Sequence, residues 1–311
     1  MTPEQDELRA TVRKLLEREA TPWPALVDIG VPALAIPEEH GGLGAGLTEL
    51  RIVAEELGRV LSDVPFLGSA VATQAVLATG DERLLPRLAE GAVAALAWTG
   101  EDGRWEAAAC RGDLSTVDGR AHYVLDGDTA SILLAVTGDG LYEVDPADAV
   151  REHVPSLDET RHFATVTFDH APARRLGPLD PGPLRDFACL VLAAEQTGAA
   201  ARALELTVEY TRQRHQFGRP IGSFQALKHR MADLHVLVET ARSAAYADLP
   251  AVAKVHCSEV LSEVAAEMIQ LHGGIAITWE HPAHRYFKRA HSSSHLFDAP
   301  HHHLPRARPK P

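Results

Sequence analysis

The sequence is poor in cysteine. Its three cysteines, Cys110, Cys189 and Cys257, lie far apart and form no Cys-x-x-Cys or histidine-rich ligand pattern. This usage is typical of a reducing compartment and of cysteines that simply pack in a core. Histidines at 281, 284 and 291 recur at spacings of three and seven, but no carboxylate pattern accompanies them. We therefore predict no metal site.

The sequence also lacks an excess of basic charge and a long hydrophobic run. It has 30 Lys and Arg against 43 Asp and Glu, a formal net charge of −13. Nucleic acid and anionic membrane surfaces attract clustered basic residues, so we expect neither as a partner. Residues 2–19 are polar, and no run of about 18 apolar residues occurs. We expect a cytoplasmic protein with no membrane span.

Apolar spacing divides the chain of 311 residues into helical and strand-like parts. Three-to-four spacing of apolar residues predicts an N-terminal helical domain over residues 1–91. Short apolar or alternating runs, separated by Gly, Asp and Pro, predict a small β domain over residues 92–177. Helical spacing then resumes and predicts a four-helix bundle over residues 178–299. Residues 300–311 show no apolar periodicity, so we expect a flexible tail.

Residues 210–233 carry the most specific motif in the chain. From Arg214 they read Arg-x-Gln-Phe-Gly-x-Pro-Ile-x-x-Phe-Gln-x-x-x-His, and Gln-Leu-His-Gly-Gly follows at residues 270–274. Together these segments resemble the acyl-CoA dehydrogenase family, and the resemblance extends over nearly the whole chain. It implies a mainly α fold with a helical N-domain, a reduced β-barrel-like middle domain and a C-terminal four-helix bundle. It also implies FAD as cofactor and an acyl-CoA as substrate.

The resemblance assigns five residues to the cofactor. A pyrophosphate requires a cation with directional donors, which the planar guanidinium of Arg214 supplies. In the family, this motif binds the pyrophosphate of an FAD held mainly by a neighbouring subunit, which places Arg214, Gln216 and Phe217 there. Gln270 and Gly274 then correspond to the adenosine end. Spacing alone favours a different interpretation, in which Arg214 is an exposed cation at a helix end and the glycine pair is a helix stop. The combined match to the two segments reverses this preference.

The catalytic carboxylate of the family is missing. Dehydrogenation needs a base for the α proton opposite the flavin. Alignment with the family places Phe297 at the usual position of this glutamate and Ala188 at the alternative position, and neither side chain accepts a proton. Asp298 and Glu195 are the nearest substitutes. Each also has an ordinary structural interpretation. Asp298 can be a solvated acid before the tail, and Glu195 can be a helix carboxylate bonded within the bundle.

The β domain also departs from the family at the loop that normally contacts the flavin ring. The segment over residues 98–103 keeps only Trp98 and Thr99 as plausible counterparts of that loop, and residues 122–127 match the following strand poorly. The chain therefore resembles one that contacts a neighbour's FAD but has lost the part that holds its own flavin ring.

This asymmetry resembles the short subunits of heteromeric acyl-CoA dehydrogenases, among them actinobacterial enzymes of steroid side-chain degradation. We predict a subunit of an FAD-dependent acyl-CoA dehydrogenase that forms a 2,3-enoyl-CoA in lipid or steroid β-oxidation. A related subunit in an α2β2 tetramer would supply the base, and an electron-transfer flavoprotein would be the acceptor. The alternatives are a homomeric flavoenzyme that uses Asp298 or Glu195, and a non-catalytic binding scaffold.

Overall fold

The computed structural model of the chain describes residues 1–18 and 23–307. The α-helices of this part of the chain are α1 (Pro3–Leu16), α2 (Trp23–Asp28), α3 (Leu47–Arg59), α4 (Phe66–Thr79), α5 (Leu85–Ala89), α6 (Pro181–Gln213), α7 (Gln225–Tyr246), α8 (Pro250–His272), α9 (Ala283–His295) and α10 (Pro300–Ala307). The strands are β1 (Ala94–Ala97), β2 (Cys110–Asp113), β3 (Thr116–Leu125), β4 (Ile132–Thr137), β5 (Gly140–Val144), β6 (Val150–Val154), β7 (Phe163–Gly177), β8 (His215–Gln216) and β9 (Arg219–Pro220). This order confirms the predicted succession of helical, β and helical parts.

The residues group into two compact units. The first comprises Met1–Val53 and Asp63–Ala188, and the second comprises Ala54–Ser62 and Cys189–Pro311. Helices α3 and α6 each contribute residues to both units. The domain boundaries predicted at residues 91 and 177 remain predictions from the sequence.

The first unit begins with helices whose ends are specified locally. The Thr2 side chain accepts the N–H of Gln5, and the Gln5 side chain accepts the N–H of Thr2. This reciprocal pair satisfies two donors that a helix start leaves open, which explains why α1 begins here. Helix α4 is apolar on nearly every side and is largely buried, as expected for a helix without a polar face.

Seven strands of the first unit form one closed, barrel-like sheet. The pairing runs β1-β4-β2-β3-β7-β5, β5 also pairs with β4, and β6 pairs with β7. Strand β4 is buried at every position, as its continuous apolar sequence predicts. Strands β2 and β6 were not predicted because their residues are mostly polar and exposed. The core of the sheet consists of apolar residues from six strands and the turns between them: Ala95, Ala97, Cys110, Val117, Ala121, Val124, Ala130, Leu133, Ala135, Tyr142, Val144, Ala164, Val166, Phe168 and Ala171.

The second unit is a helical bundle centred on α8, which packs against α7, α9 and α10. Two glycines allow the end of α3 to cross α6 closely. A Cβ at Gly58 would lie 2.0 Å from the carbonyl oxygen of Glu195, and one at Gly198 would lie 1.8 Å from that of Glu55. Because both obstacles are backbone atoms, no larger side chain fits at this reciprocal contact.

A buried lysine in the same unit donates hydrogen bonds to the free carbonyls at a helix end. The fully buried Lys254 of α8 donates from Nζ to the carbonyls of Ser293 and Ser294, at 3.1 and 3.0 Å. These carbonyls belong to the last turn of α9, where a helix has free acceptors and a cation is favoured. This contact explains how a lysine is tolerated inside the bundle.

One prediction about the C-terminal end was wrong. Instead of a flexible tail, Pro300–Ala307 forms α10, and His303 is buried, with Nε2 2.8 Å from the carbonyl oxygen of Phe297. The helix was missed because its buried position is occupied by histidine, which periodicity counts as polar. Residues 308–311 of the predicted tail lie outside the described residues.

The three cysteines are buried and form no disulfide, in agreement with the predicted packing role. Burial raises the pKa of the Cys110 and Cys257 thiols to about 12, so neither is a reactive thiolate near neutral pH. In the described part of the chain, no helix is both long enough and apolar enough to span a bilayer.

Candidate cofactor-binding site

A short hairpin carries two of the predicted cofactor residues. Strands β8 and β9 pair His215 with Pro220 and Gln216 with Arg219, which leaves Phe217 and Gly218 as a two-residue turn. Both turn residues have positive φ, 53° and 78°, as the primed hairpin turns require. Glycine adopts this conformation without strain, but phenylalanine does not. The Phe217 ring is nevertheless 89% exposed, so the strained turn presents an aromatic side chain to the outside.

Arg214 lies between α6 and this hairpin. Its N–H donates to the carbonyl of Tyr210 at 2.9 Å, and its carbonyl accepts the N–H of Ile221 at 2.8 Å, so its backbone is held on both sides. The side chain is exposed, and its guanidinium makes no ion pair or hydrogen bond with any residue that the structure describes. Arg219 differs, because its guanidinium carbon lies 3.9 Å from the centre of the Phe224 ring. Arg214 therefore offers its full set of donors to an anion.

The second predicted segment follows α8. Gln270 is exposed in the last turn of the helix, and Gly273, with φ of 66°, ends it. Gly274 does not have positive φ, and a Cβ built on it would meet no atom of the described residues within 4 Å. Neither its conformation nor its packing against these residues requires glycine at residue 274. The missing side chain leaves room for a ligand to approach the backbone of Gly274 closely.

A ring stack connects these two segments. The rings of Tyr210 and His272 lie 4.3 Å apart at 25°, and the Tyr210 hydroxyl donates to the His272 carbonyl at 3.2 Å. Tyr210 is one helical turn before Arg214, and His272 directly precedes the glycine pair. The structure therefore brings together segments that are separated by about 60 residues in the sequence.

The tautomer and the charge of His272 are set by its surroundings. Its Nδ1 lies 2.7 Å from the carbonyl of Met268, which can only accept, so Nδ1 carries the proton. Burial lowers the pKa of His272 against the opposing hydrogen bond to Met268, and the neighbouring His281, with ring centres 4.5 Å apart, lowers it further. Burial also lowers the pKa of His281. Both rings are therefore expected to be neutral near pH 7.

The exposed donors of this site fit the ADP half of a dinucleotide. Arg214 supplies a cation with paired donors for a pyrophosphate, and Gly274 supplies an accessible backbone. Gln216 and Gln270 are both exposed amides that can donate to or accept from a nucleotide.

In the first unit, Trp98 and Thr99, the predicted counterparts of a flavin-ring loop, contact other residues of the same chain. Trp98 and Thr99 are fully buried. The Thr99 hydroxyl donates to the Arg104 carbonyl at 2.6 Å, and Trp98 packs edge-on against Trp105 at 5.3 Å. The indole N–H of Trp98 has no hydrogen-bond partner in the described part of the chain. Thr99 therefore has no hydroxyl proton left to donate to a flavin.

The positions expected to hold a base are apolar and buried. Ala188 is fully buried, and Phe297 is 1% exposed with φ of 56°. The neighbouring Asp298 is also buried, and one of its carboxylate oxygens lies 3.9 Å from Nδ1 of His302. Asp298 was expected to be a solvated acid in its ordinary structural interpretation, but it is enclosed instead.

Glu195 is part of a buried ion pair. Its Oε1 lies 2.7 Å from Nη1 of Arg289, and both side chains are almost fully buried. This arrangement agrees with the structural interpretation of a carboxylate bonded within the bundle. Because this carboxylate is buried and bound to Arg289, the geometry does not favour Glu195 as a base.

Sequence reasoning did not assign roles to Tyr210, His272 or Arg289. Tyr210 and His272 lie inside the recognised motifs, so the motifs marked the region but not the stack. Arg289 lies in a polar helix whose pattern shows basic residues on several faces. Its burial could not be read from that pattern.

Comparison with known proteins identifies relatives for most of the chain. The family model described as "Acyl-CoA dehydrogenase, N-terminal domain" matches residues 2–92, and "Acyl-CoA dehydrogenase, C-terminal domain" matches residues 186–296. The chain is 40% identical to the acyl-CoA dehydrogenase IpdE2 of Mycolicibacterium smegmatis over an alignment of 325 positions including gaps, and the match covers 96% of each protein.

Two solved structures extend this similarity to the fold. A variant of the Tcur3481-Tcur3483 steroid ACAD matches with a TM-score of 0.88 and 30% identity, over 98% of this chain and 96% of that chain. The ChsE4-ChsE5 complex from Mycobacterium tuberculosis matches with a TM-score of 0.87 and 27% identity, over 98% and 96% of the two chains.

Proposed function

The chain belongs to the acyl-CoA dehydrogenase family, and on that premise we propose that it is the subunit of a heteromeric enzyme that lacks the catalytic carboxylate. The observation that carries this proposal is an asymmetry within one chain. Arg214 is exposed and available to an anion, whereas the base positions hold the buried apolar side chains of Phe297 and Ala188. Such a chain can bind a shared cofactor, but it lacks the group that removes the α proton.

The partner in this proposal is a related acyl-CoA dehydrogenase subunit in an α2β2 tetramer. Supporting this choice, two structural relatives are described as a Tcur3481-Tcur3483 steroid ACAD and a ChsE4-ChsE5 complex. The same relatives support an acyl-CoA of steroid origin as the substrate class, with a fatty acyl-CoA as the alternative. An electron-transfer flavoprotein is the proposed electron acceptor.

FAD, when bound, accepts the hydride from the β carbon of the acyl group. The residues of this chain contribute binding and orientation. Arg214 neutralises the charge of the pyrophosphate, and the hairpin places Gln216 and Phe217 beside it. Gln270 and Gly274 contact the adenosine end. The partner supplies the base and the contacts to the flavin ring, since Thr99 of this chain is already bonded internally.

The test is co-expression of the chain with an acyl-CoA dehydrogenase encoded beside it. The mixed complex should contain FAD, and the chain alone should not. Arg214→Ala should raise the Kd of the complex for FAD at least about tenfold, a loss of ~1.4 kcal/mol, and thereby lower its FAD occupancy. Arg212→Ala is the matched control because Arg212 is an exposed arginine two residues earlier, and it should leave occupancy unchanged.

Two outcomes would contradict the proposal. If the chain alone binds FAD and oxidises an acyl-CoA, it is a homomeric enzyme, and replacement of Asp298 and Glu195 would then identify its base. If the mixed complex forms but binds no FAD, the chain is a scaffold.

A further inference from the structure

We propose that Tyr210 and His272 are positioning residues, whose stacked rings hold the turn of Arg214 and the segment of Gly273 and Gly274 at a fixed spacing for the ADP half of the cofactor. This inference rests on the proposed function. It adds a pair of residues that touch neither the pyrophosphate nor the adenosine in that assignment. Their role follows from how they connect the two segments that do.

The connection is made through both rings and backbone. The Arg214 N–H donates to the Tyr210 carbonyl at 2.9 Å, so the start of the hairpin follows any movement of Tyr210. The Tyr210 hydroxyl donates to the His272 carbonyl at 3.2 Å, in the peptide that leads into Gly273. With the ring stack at 4.3 Å, this gives a continuous link between the two cofactor segments. Glycine is the most mobile backbone unit, so Gly273 and Gly274 have particular need of such an anchor.

Proton uptake by His272 would disturb the link. Its Nε2 is buried and has no hydrogen-bond partner in the described part of the chain. A proton there would create a buried donor without an acceptor, and a charge beside the ring of His281, which is 4.5 Å away. The groups that face His272 are the Tyr210 ring from α6, the Met268 carbonyl from its own helix and His281 from the segment after α8. No carboxylate among these contacts compensates a positive ring.

The direction of the pH effect follows from this geometry. The site favours neutral His272, because burial, together with His281, outweighs the hydrogen bond to Met268 and holds the pKa of His272 below the ordinary value of 6.5. Above that value the ring is neutral whether or not the site is formed, so the link is intact. As the pH falls below 6.5, protonation increasingly favours a disrupted site. FAD affinity should therefore fall with acidification in that range.

The experiment measures FAD dissociation from the purified mixed complex by flavin fluorescence between about pH 5 and pH 8, a range that brackets ordinary histidine titration. His272→Ala removes the stack and should weaken FAD binding about tenfold at neutral pH, or ~1.4 kcal/mol. His272→Phe keeps a flat ring against Tyr210 but cannot take up a proton. It should bind FAD within about threefold of the wild type at neutral pH and lose the acid-dependent weakening, because the titrating group is gone. His235→Ala removes an exposed histidine of α7 that lies outside the cofactor motif and is the matched control.

Two results would overturn the inference. One is a His272→Ala complex with unchanged FAD affinity. The other is a His272→Phe complex that keeps the acid-dependent weakening. If His272 had a purely structural role, His272→Ala and His272→Phe would both lower the thermal stability. The pH dependence of FAD binding would then be the same for the two variants. Failure of the proposed function looks different, because then the wild-type complex binds no FAD or Arg214→Ala has no effect on binding.

Discussion

The guanidinium of Arg289 lies 2.7 Å from the carboxylate of Glu195 in the interior of the helical unit. The other terminal nitrogen of Arg289 donates to the carbonyl of Ser62 at 2.9 Å. On the same face of α9, the Tyr286 hydroxyl donates to the carbonyl of Arg59 at 2.7 Å. One helix thus satisfies the free carbonyl of Arg59 at the end of α3 and that of Ser62 just beyond it, while its arginine neutralises a buried acid of α6.

Arg289→Met should lower the free energy of unfolding by about 3–5 kcal/mol, because it leaves the Glu195 carboxylate buried without its cation. Chemical denaturation followed by circular dichroism measures the loss. Arg285→Met, at an exposed arginine of the same helix, should have little effect. The double variant Arg289→Met, Glu195→Leu should recover most of the loss, since no unpaired charge remains. A loss as small as that of Arg285→Met would contradict the structural role of the pair.

Ionisation of Asp126 in the first unit should make the stability of the protein depend on pH. Burial raises the pKa of its carboxyl to about 7, opposed by Arg161 and reinforced by Asp128 and Asp63. Between the ordinary value of 3.8 and about 7, the folded protein keeps a proton that the unfolded chain releases. Stability contributed by this group is therefore full at low pH and lost as the pH rises toward 7.

Asp126→Asn should raise the stability at pH 8 by on the order of 2 kcal/mol and have only a small effect near pH 4, where the folded carboxyl is neutral and the unfolded one is only about half ionised. The melting temperatures of variant and wild type at the two pH values measure this difference. Asp113→Asn, at an exposed aspartate, should show no such pH dependence. An equal effect of Asp126→Asn at both pH values would show that its cause is not the ionisation of Asp126.

Replacing Phe217 should affect FAD binding much more than it affects the stability of the fold. Its positive φ is strained for a residue with a side chain, and backbone strain of this kind is often kept where a site needs it. Phe217→Gly should change the free energy of unfolding by no more than about 1 kcal/mol, because relief of strain offsets the greater freedom of the unfolded chain. FAD binding by the mixed complex should weaken, because the exposed ring is lost.

Denaturation and flavin titration of the same preparation test both parts. Leu114→Gly is the matched control, since Leu114 is also exposed, also has positive φ and lies in the turn between β2 and β3. It should leave FAD binding unchanged. Wild-type FAD affinity in Phe217→Gly would remove Phe217 from the cofactor site.

The sequence alone was sufficient to predict the family and the succession of helical and β parts. These features depend on local information. Apolar spacing reports a helix or strand within a few turns, and the Arg-x-Gln-Phe-Gly motif occupies a few consecutive residues. The polar strands β2 and β6 and the histidine-containing helix α10 were missed because their local pattern differs from that of a buried element.

Contacts between distant residues were decided only by the tertiary structure. Tyr210 and His272 are 62 residues apart, and Glu195 and Arg289 are 94 apart. No periodicity in the sequence relates such positions, because their meeting depends on how whole helices pack. For the same reason, the sequence identified Glu195 as an acid on a helix, whereas burial beside Arg289 decided that its carboxylate is paired rather than free.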